Sequence, residues 1–477
     1  MAVIDTGVYS KLWQHWNNVL PSDAVALITP THQYTWSSLT KQIDNYASCL
    51  SRQGVVSRNT ITVVGKNSSE SVFIFLAALS LGARVAFVAP QPISQLCLKL
   101  NTLYSADETS FLISLIDTID SDELEAIAPN VQLVALDFSL SQSRPEFRYQ
   151  PDEIASFIFT SGSTGTPKAV AHTSSQHLSS AAGLLDVFTY VGSDCWLLSL
   201  PVYHVSGLSI LYRWLLSGAT LKVGRGDLDT DIEGVTHASL VATQLQRLLD
   251  SGKPLNLTHV LLGGSDIPHK LSDAAAALGI ETWVGYGMTE AASTVTAKRV
   301  DGLQGVGSVL ANRKLTIENG RIFIGGDTLG CGYFRQGELF AFTNEQGWFD
   351  SKDLGEIKNE QLVICGRVDN QFISGGENIH CEEIEAALLK HPCVQQVVVI
   401  PVVDNVFGAR SVAVIKTSKD LSLEDYQQWL VDKLEKFKWP IDYLPLPQQA
   451  LGSGIKISRP VIKAWLTEAY PHYTVKL

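Results

Sequence analysis

No two of the seven cysteines stand as C-x-x-C: Cys49, Cys97, Cys195, Cys331, Cys365, Cys381 and Cys393 are scattered along the chain. That scatter argues against zinc or dithiol redox chemistry and predicts free thiols in a reducing cytoplasm. Positive charge is also scarce, 36 basic against 48 acidic side chains, a net charge of -12. Such a surface repels a phosphodiester backbone on average, so nucleic acid is not an expected partner. An unbroken apolar run of membrane-spanning length is missing too. The nearest approach, "SVFIFLAALSLGARVAFVAP" from Ser71, is interrupted by Gly82 and Arg84, and is expected to be a buried helix running into a buried strand. The N-terminus "MAVIDTGVYSKLWQHW" has no basic segment ahead of an apolar core, so no signal peptide is expected. Internal repeats and low-complexity segments are absent as well.

What is present describes a globular chain. With 477 residues, 45% of them hydrophobic and 18% charged, it exceeds one hydrophobic core, and two or three domains are expected. "TITVVG" from Thr60, the turn-and-cap chemistry of "KNSSE", the apolar run from Ser71 and "RVAFVAP" spell a β-α-β unit, hence a parallel sheet with helices packed on it. The same alternation recurs in "THVLLGGSDIPHKLSDAAAALGIETWVGYG", with Pro268 near the start of an Ala-rich helix. The fold class expected is α/β: a large N-terminal region over residues 1–367, with parallel sheets flanked by helices. After Gly366 the texture changes to a turn, a capped helix from a Glu cluster and two β-branched strands around "DNVFG". This predicts a small, mobile α+β domain over residues 371–477, joined by a polar hinge at 368–370.

One stretch carries chemistry. In "FIFTSGSTGTPKAV", from Phe157, a buried strand feeds a loop in which Gly162 and Gly165 admit backbone conformations that a Cβ forbids. Successive N–H groups, several hydroxyls and the Lys168 ammonium converge on a small volume, as a polyphosphate requires. Pro167, and the alanine after Lys168, rule out a Walker A loop; Ser161, two residues before Ser163, rules out a nucleophile elbow. On composition, a phosphate loop and a plain surface loop remain equally good readings.

The full string "TSGSTGTPK" resembles the signature loop of the adenylate-forming enzymes, the acyl- and aryl-CoA ligases, luciferases and peptide-synthetase adenylation domains. Five further matches follow in order: "LPVYHVSG", "GYGMTE", "GWFDSKDLG", "GRVDNQFISGGENIHCEEIE" and "GIKISR". The resemblance implies a two-step reaction in which a carboxylate and ATP give an acyl-adenylate and pyrophosphate, and a thiol then takes the acyl group. It implies ATP, Mg²⁺ and coenzyme A as cofactor and co-substrates.

Residue by residue, the resemblance implies that Thr160, Ser161, Gly162, Ser163, Thr164, Gly165 and Lys168 wrap the leaving phosphates. Gly285, Tyr286 and Gly287 would line the nucleotide site, with Thr289 near the α-phosphate and Glu290 a ligand of Mg²⁺. Asp353 would accept hydrogen bonds from the ribose hydroxyls, with Arg367 nearby; Lys352 stands where many relatives have glycine. His204 would gate the acyl pocket and orient the carboxylate, Gly263 and Gly264 would border that pocket, and Lys456 would bridge carboxylate and α-phosphate, although Ile455 replaces the usual preceding glycine. Asp369 would be the hinge about which the small domain rotates after adenylation, bringing Ser374, Gly375 and Gly376 to the thiol tunnel.

"HVSGLSILYRWLLSGATL", "SLVATQLQRLL" and "FISGGENIHCEEIEAAL" resemble the subgroup that activates o-succinylbenzoate in menaquinone synthesis, which implies an aromatic dicarboxylic acid as substrate. Arg213, the only charge in "LSILYRWLL", has its own physical reading: it snorkels to water or meets an anion. Other aryl- or acyl-CoA ligases, a stand-alone enzyme loading a carrier protein and a catalytically dead binding protein are the competing readings. The expected partners are therefore small molecules, with no nucleic acid and no membrane span; a homo-oligomer is compatible with the sequence.

Overall fold

The computed structural model describes residues 6–105, 108–116, 119, 124, 130–139, 145–161, 167–263, 267, 269–374, 377–431, 433–447 and 459–475. The chain divides into two compact units: one runs to Gly263 and continues through Ile267–Leu315 and Ile324–Phe349, and the other comprises Thr316–Phe323 and the chain from Asp350.

In the first unit the β-α-β reading is realised. Thr60–Val64 and Arg84–Val88 pair in parallel, with the helix Ser69–Ser80 between them. That helix starts on a capping box of Ser68 and Ser71 and is buried from Ser71 to Ser80. An apolar run of this length is stable in water only inside a core, and no helix among the described residues is long and apolar enough to cross a membrane. The two strands belong to an eight-stranded sheet whose parallel portion includes Ile154–Ser161, Ser110–Ser114 and Val131–Leu133. A second sheet, of nine strands, has a parallel centre that includes Cys195–Leu197, His237–Val241, His259–Gly263 and Glu281–Met288. A core containing Trp13, Trp36, Trp196 and Trp214 packs with them, the rings of Trp36 and Trp214 stacked at 5.4 Å.

Parallel pairing is not the whole of either sheet. Pro167–Thr173 runs antiparallel to Ile154–Ser161 and to Gly332–Arg335, and Ser293–Arg299 runs antiparallel to Glu281–Met288. Two of the sequence motifs, "TSGSTGTPK" and "GYGMTE", fall at these antiparallel strands.

The second unit contains a three-stranded sheet of Val394–Asp404, Gly408–Thr417 and Asp442–Pro445. Val397 and Val399 join one cluster with Ile384 and Leu388 of the helix Cys381–Leu389. Val398, Ile400 and Val402 join another with Ile462 and Leu466 of the helix Arg459–Ala469. Successive strand residues point to opposite faces; with both faces covered, the strands read as unbroken β-branched runs. One detail differs from expectation. The helix at the Glu cluster has His380 at its N-cap with no side-chain cap bond, so Glu382 and Glu383 in its first turn meet the positive end of the helix dipole favourably but do not cap it.

Candidate active site

The described ends of the candidate phosphate loop form a β-hairpin. Thr160 pairs with Lys168 and Ser161 with Pro167, so the strand does not simply open into a loop but returns on itself. Gly162, Ser163, Thr164 and Gly165 lie outside the described residues, as do Gly264, Gly375, Gly376 and Lys456. Lys168 is exposed, and its Nζ lies 5.0 Å from the ring centroid of Tyr333. The register explains that contact. Tyr333 pairs with Val170 on the far side of the same strand, and Val170 shares a sheet face with Lys168 two residues away, within reach of long side chains.

The Tyr333 hydroxyl donates to Oε1 of Glu290 over 3.0 Å. Glu290 sits in the one-turn helix Thr289–Ala291, which links the strand Glu281–Met288 to Ser293–Arg299. The strands cross so closely there that a Cβ on Gly287 would stand 1.9 Å from the Ser293 carbonyl oxygen, and only glycine fits. Gly285 and Tyr286 precede it in the same strand. Ala292 and Ser293 carry positive φ of 50° and 97° without being glycine, strain of the kind that persists where the surroundings over-determine a turn. Two bonds supply that determination: His172 Nε2–H donates to the Thr289 carbonyl at 2.8 Å, and the Gly330 N–H donates to the Glu290 carbonyl at 2.8 Å.

His172 is wholly buried, and burial pushes its pKa down to about 4. His177, which shares a 2.9 Å hydrogen bond with Ser156, is held well below the ordinary value by burial and then by His172. His237 is lowered to about 4, again chiefly by burial. Each is neutral in the folded chain and free to protonate at about 6.5 when unfolded. Their stabilising contribution is therefore complete above about pH 6.5 and is lost as pH falls toward 4, at up to roughly 1.4 kcal/mol per pH unit for each. The midpoint of thermal unfolding is expected to fall steadily from pH 7 to pH 5; a flat profile over that range would contradict buried neutral histidines.

Arg213 lies on the helix Val205–Ser217 and is 2% exposed, so it does not snorkel. Among the described residues its Nη2 has only long contacts, 3.5 Å to the hydroxyls of Ser293 and Thr294, and its Nε has no partner. The guanidinium stands 5.2 Å from the centroid of Trp196. Among the described residues no carboxylate lies within ion-pair distance of it, and burial, then Arg313, pushes its pKa down to about 9. Arg313 shows what a satisfied buried arginine looks like: it donates to the carbonyls of Thr294, Ser180 and Ala311 and to the Ser180 hydroxyl at 2.8 to 3.0 Å. Arg213 is by contrast a buried cation short of acceptors, beside the strand that leaves the Thr289–Glu290 turn.

His204 is the N-cap residue of the Arg213 helix but makes no side-chain cap bond, and its ring meets Tyr203 edge-on at 4.8 Å. Partial burial, then Lys99, lowers its pKa, so it is neutral at pH 7. The helix start is pinned by Gly207, whose Cβ would lie 2.1 Å from the Pro201 carbonyl oxygen. Gly263 ends its strand at an exposed position.

In the second unit Asp353 is buried and pairs with Arg367 across the ladder of Phe349–Lys358 and Gln361–Arg367. Arg367 Nη1 donates to Asp353 Oδ1 at 2.9 Å, while its Nε and Nη2 both reach the Asp369 carboxylate at 3.2 Å. One guanidinium thus orients both acids. Lys352 has φ 60°, which accounts physically for the glycine that the resemblance puts there. Asp369 lies in the short turn Val368–Asn370, and Ser374 ends the strand Gln371–Ser374 as a buried residue.

The structure therefore links Lys168, with Thr160 paired beside it, to Glu290 through Tyr333, places Arg213 beside the Thr289–Glu290 turn, and separately joins Asp353, Arg367 and Asp369. Sequence reasoning missed Tyr333 and His172. The sequence signal for Tyr333 was slight, an aromatic in "GCGYFR" behind a glycine at φ 145°; for His172 there was none, because a histidine inside "AVAHT" reads as core.

A family model described as AMP-binding enzyme matches residues 13–334, and one described as AMP-binding enzyme C-terminal domain matches residues 383–449. Over 458 residues the chain is 40% identical to the 2-succinylbenzoate--CoA ligase of Escherichia coli (strain K12), covering 95% of this chain and 98% of that protein. A variant of E. coli MenE with bound OSB-AMS matches with a TM-score of 0.86 at 38% identity, covering 96% of this chain and 98% of the other. The o-succinylbenzoate coenzyme A synthetase (MenE) of Bacillus subtilis, in complex with ATP and magnesium ion, matches with a TM-score of 0.82 at 26% identity, covering 91% and 95%.

Proposed function

This chain belongs to the AMP-binding enzyme family, and from that premise we propose that it joins o-succinylbenzoate to coenzyme A at the expense of ATP, a step of menaquinone synthesis. In the first half-reaction a carboxylate oxygen attacks the α-phosphorus, the bond to the bridging oxygen breaks, and pyrophosphate leaves. In the second the thiol sulfur attacks the acyl carbon and AMP departs, the thiol proton passing to solvent. A carboxylate is a poor electrophile because its charge is delocalised; transfer to AMP supplies the leaving group, and the protein must hold two anions together meanwhile.

The residues divide this work. Lys168 and the hairpin loop from Thr160 hold the departing phosphates, and Thr289 stands by the α-phosphate at the strained turn. Gly285, Tyr286 and Gly287 supply a strand that a nucleotide can approach closely. The hard oxygen of Glu290 suits Mg²⁺, which takes most of its remaining ligands from phosphate and water rather than from a protein cage. When bound there, the ion would offset negative charge on the phosphates. Asp353, oriented by Arg367, takes the ribose hydroxyls. His204, being neutral, shapes the acyl pocket with Gly263 and is not needed as a base, since the acid is already ionised at neutral pH. Lys456 bridges carboxylate and α-phosphate in the first half-reaction, Asp369 serves as the hinge, and the segment from Ser374 serves the thiol side. The seven cysteines, none disulfide-bonded, support a cytoplasmic location.

The observation that carries the substrate assignment is Arg213, buried and short of acceptors. A dicarboxylic acid with one group to activate and one to anchor gives that guanidinium the partner it lacks. o-Succinylbenzoate is expected to support Mg²⁺-dependent exchange of labelled pyrophosphate into ATP and then thioester formation, with benzoate and medium-chain fatty acids far poorer. Should a fatty acid outperform o-succinylbenzoate at equal concentration, the substrate is wrong though the reaction class stands. ATP binding with no exchange for any acid would instead favour a catalytically dead binding protein.

A further inference from the structure

Tyr333 touches both charged groups that the first half-reaction needs near the leaving phosphates. Its hydroxyl donates to Glu290 Oε1 at 3.0 Å, and its ring lies 5.0 Å from the Lys168 ammonium. The ring is held from two sides. Its strand, Gly332–Arg335, is laddered to the strand of Lys168, and Phe342 meets it edge-on at 5.2 Å. The hydrogen bond from Tyr333 therefore comes to the Glu290 side chain from a fixed origin. A carboxylate on a one-turn helix has three rotatable torsions, and a metal site built on a single protein carboxylate is only as well placed as that carboxylate.

We propose that Tyr333 is a positioning residue for the adenylation site: its hydroxyl fixes the carboxylate of Glu290 toward Mg²⁺, and its ring face steadies the Lys168 ammonium beside it. The inference rests on the reading of Glu290 as the metal-binding acid. A phenol is protonated at neutral pH, so it is a donor to the carboxylate and not a second anion. The two contacts are chemically separable. Phenylalanine keeps the ring and removes the hydroxyl; leucine removes both.

The test is calorimetric titration of the whole protein with ATP, without acid, at several free Mg²⁺ concentrations and in chelator. Tyr333→Phe is expected to weaken the Mg²⁺-dependent gain in ATP affinity by roughly tenfold, the loss of one hydrogen bond to a charged group, and to leave the affinity in chelator unchanged. Tyr333→Leu is expected to weaken binding in chelator as well, by about two- to fivefold for the lost cation–π contact. A Tyr333→Phe protein with the wild-type Mg²⁺ dependence overturns the inference. So does one that loses affinity equally with and without Mg²⁺ while its melting temperature drops, since that is the mark of a general structural role. If the wild-type protein itself gains no ATP affinity from Mg²⁺, the assignment of Glu290 fails first, and the two failures are told apart by that control.

Discussion

Glu290→Gln is expected to slow acid-dependent pyrophosphate exchange by roughly a hundred- to a thousand-fold, the scale seen when one preorganised electrostatic contact to developing charge is deleted. Glutamine is nearly isosteric, and its carbonyl can still accept from Tyr333, so the strained turn keeps its hydrogen bonds to His172 and Gly330. What disappears is the negative charge, and with it most of the attraction for a hard divalent cation. The loss should therefore be largest at low Mg²⁺ and shrink as Mg²⁺ is raised, while the melting temperature stays near that of the wild type. Measuring exchange across an Mg²⁺ series at saturating ATP and acid decides the point. A loss below about tenfold, within the range of an ordinary hydrogen bond, would mean that another group holds the metal.

Arg213→Met and Arg213→Ala should raise the KM for o-succinylbenzoate and lower kcat/KM by roughly ten- to more than a hundred-fold, equivalent to about 1.5 to 3 kcal/mol for a hydrogen bond to a charged group. The anchored carboxylate is held alike in ground and transition states, so the loss should fall mainly on KM for the acid and hardly on KM for ATP. Lysine should rescue only in part, because a point charge cannot make a two-pronged contact. Stability gives the second readout. A buried guanidinium whose Nε has no partner among the described residues costs desolvation energy, so methionine, which keeps apolar packing against Trp196, should hold or raise the melting temperature. If methionine instead lowers it and weakens ATP and acid use together, Arg213 is structural, and the case for a dicarboxylic substrate must rest on the relatives alone.

The parallel parts of the fold could be read from the sequence because they are built from local signals: the capping residues at Ser68, the apolar block from Ser71, the β-branched run at Thr60. The antiparallel additions could not. Pro167–Thr173 is buried over most of its length, so it shows none of the polar-apolar alternation that marks a half-exposed strand, and its second neighbour comes from residues 332–335. The motifs named most of the residues that gather around the turn, since backbone requirements such as the glycine at 287 leave a trace in the string. They could not name Tyr333 or His172, whose roles depend on what lies across a ladder. For Arg213 the sequence posed two outcomes, and its burial excludes the one in which the side chain snorkels to water. Its surroundings, Ser293, Thr294 and Trp196, all lie far from Arg213 in sequence.

The strand that carries Lys168 has one more consequence, for how the chain is made. It pairs at once with Ile154–Ser161, but its other edge must wait for Gly332–Arg335. Between the two, seven strands of the nine-stranded sheet leave the ribosome, from Cys195–Leu197 through Ser308–Val309. Throughout that interval an apolar strand presents unpaired N–H and C=O groups, the template on which nascent chains join edge to edge. The late segment "GCGYFR" thus covers that edge as well as reaching the acid, and a chain stalled before it has a nucleotide loop hung on an open, sticky margin.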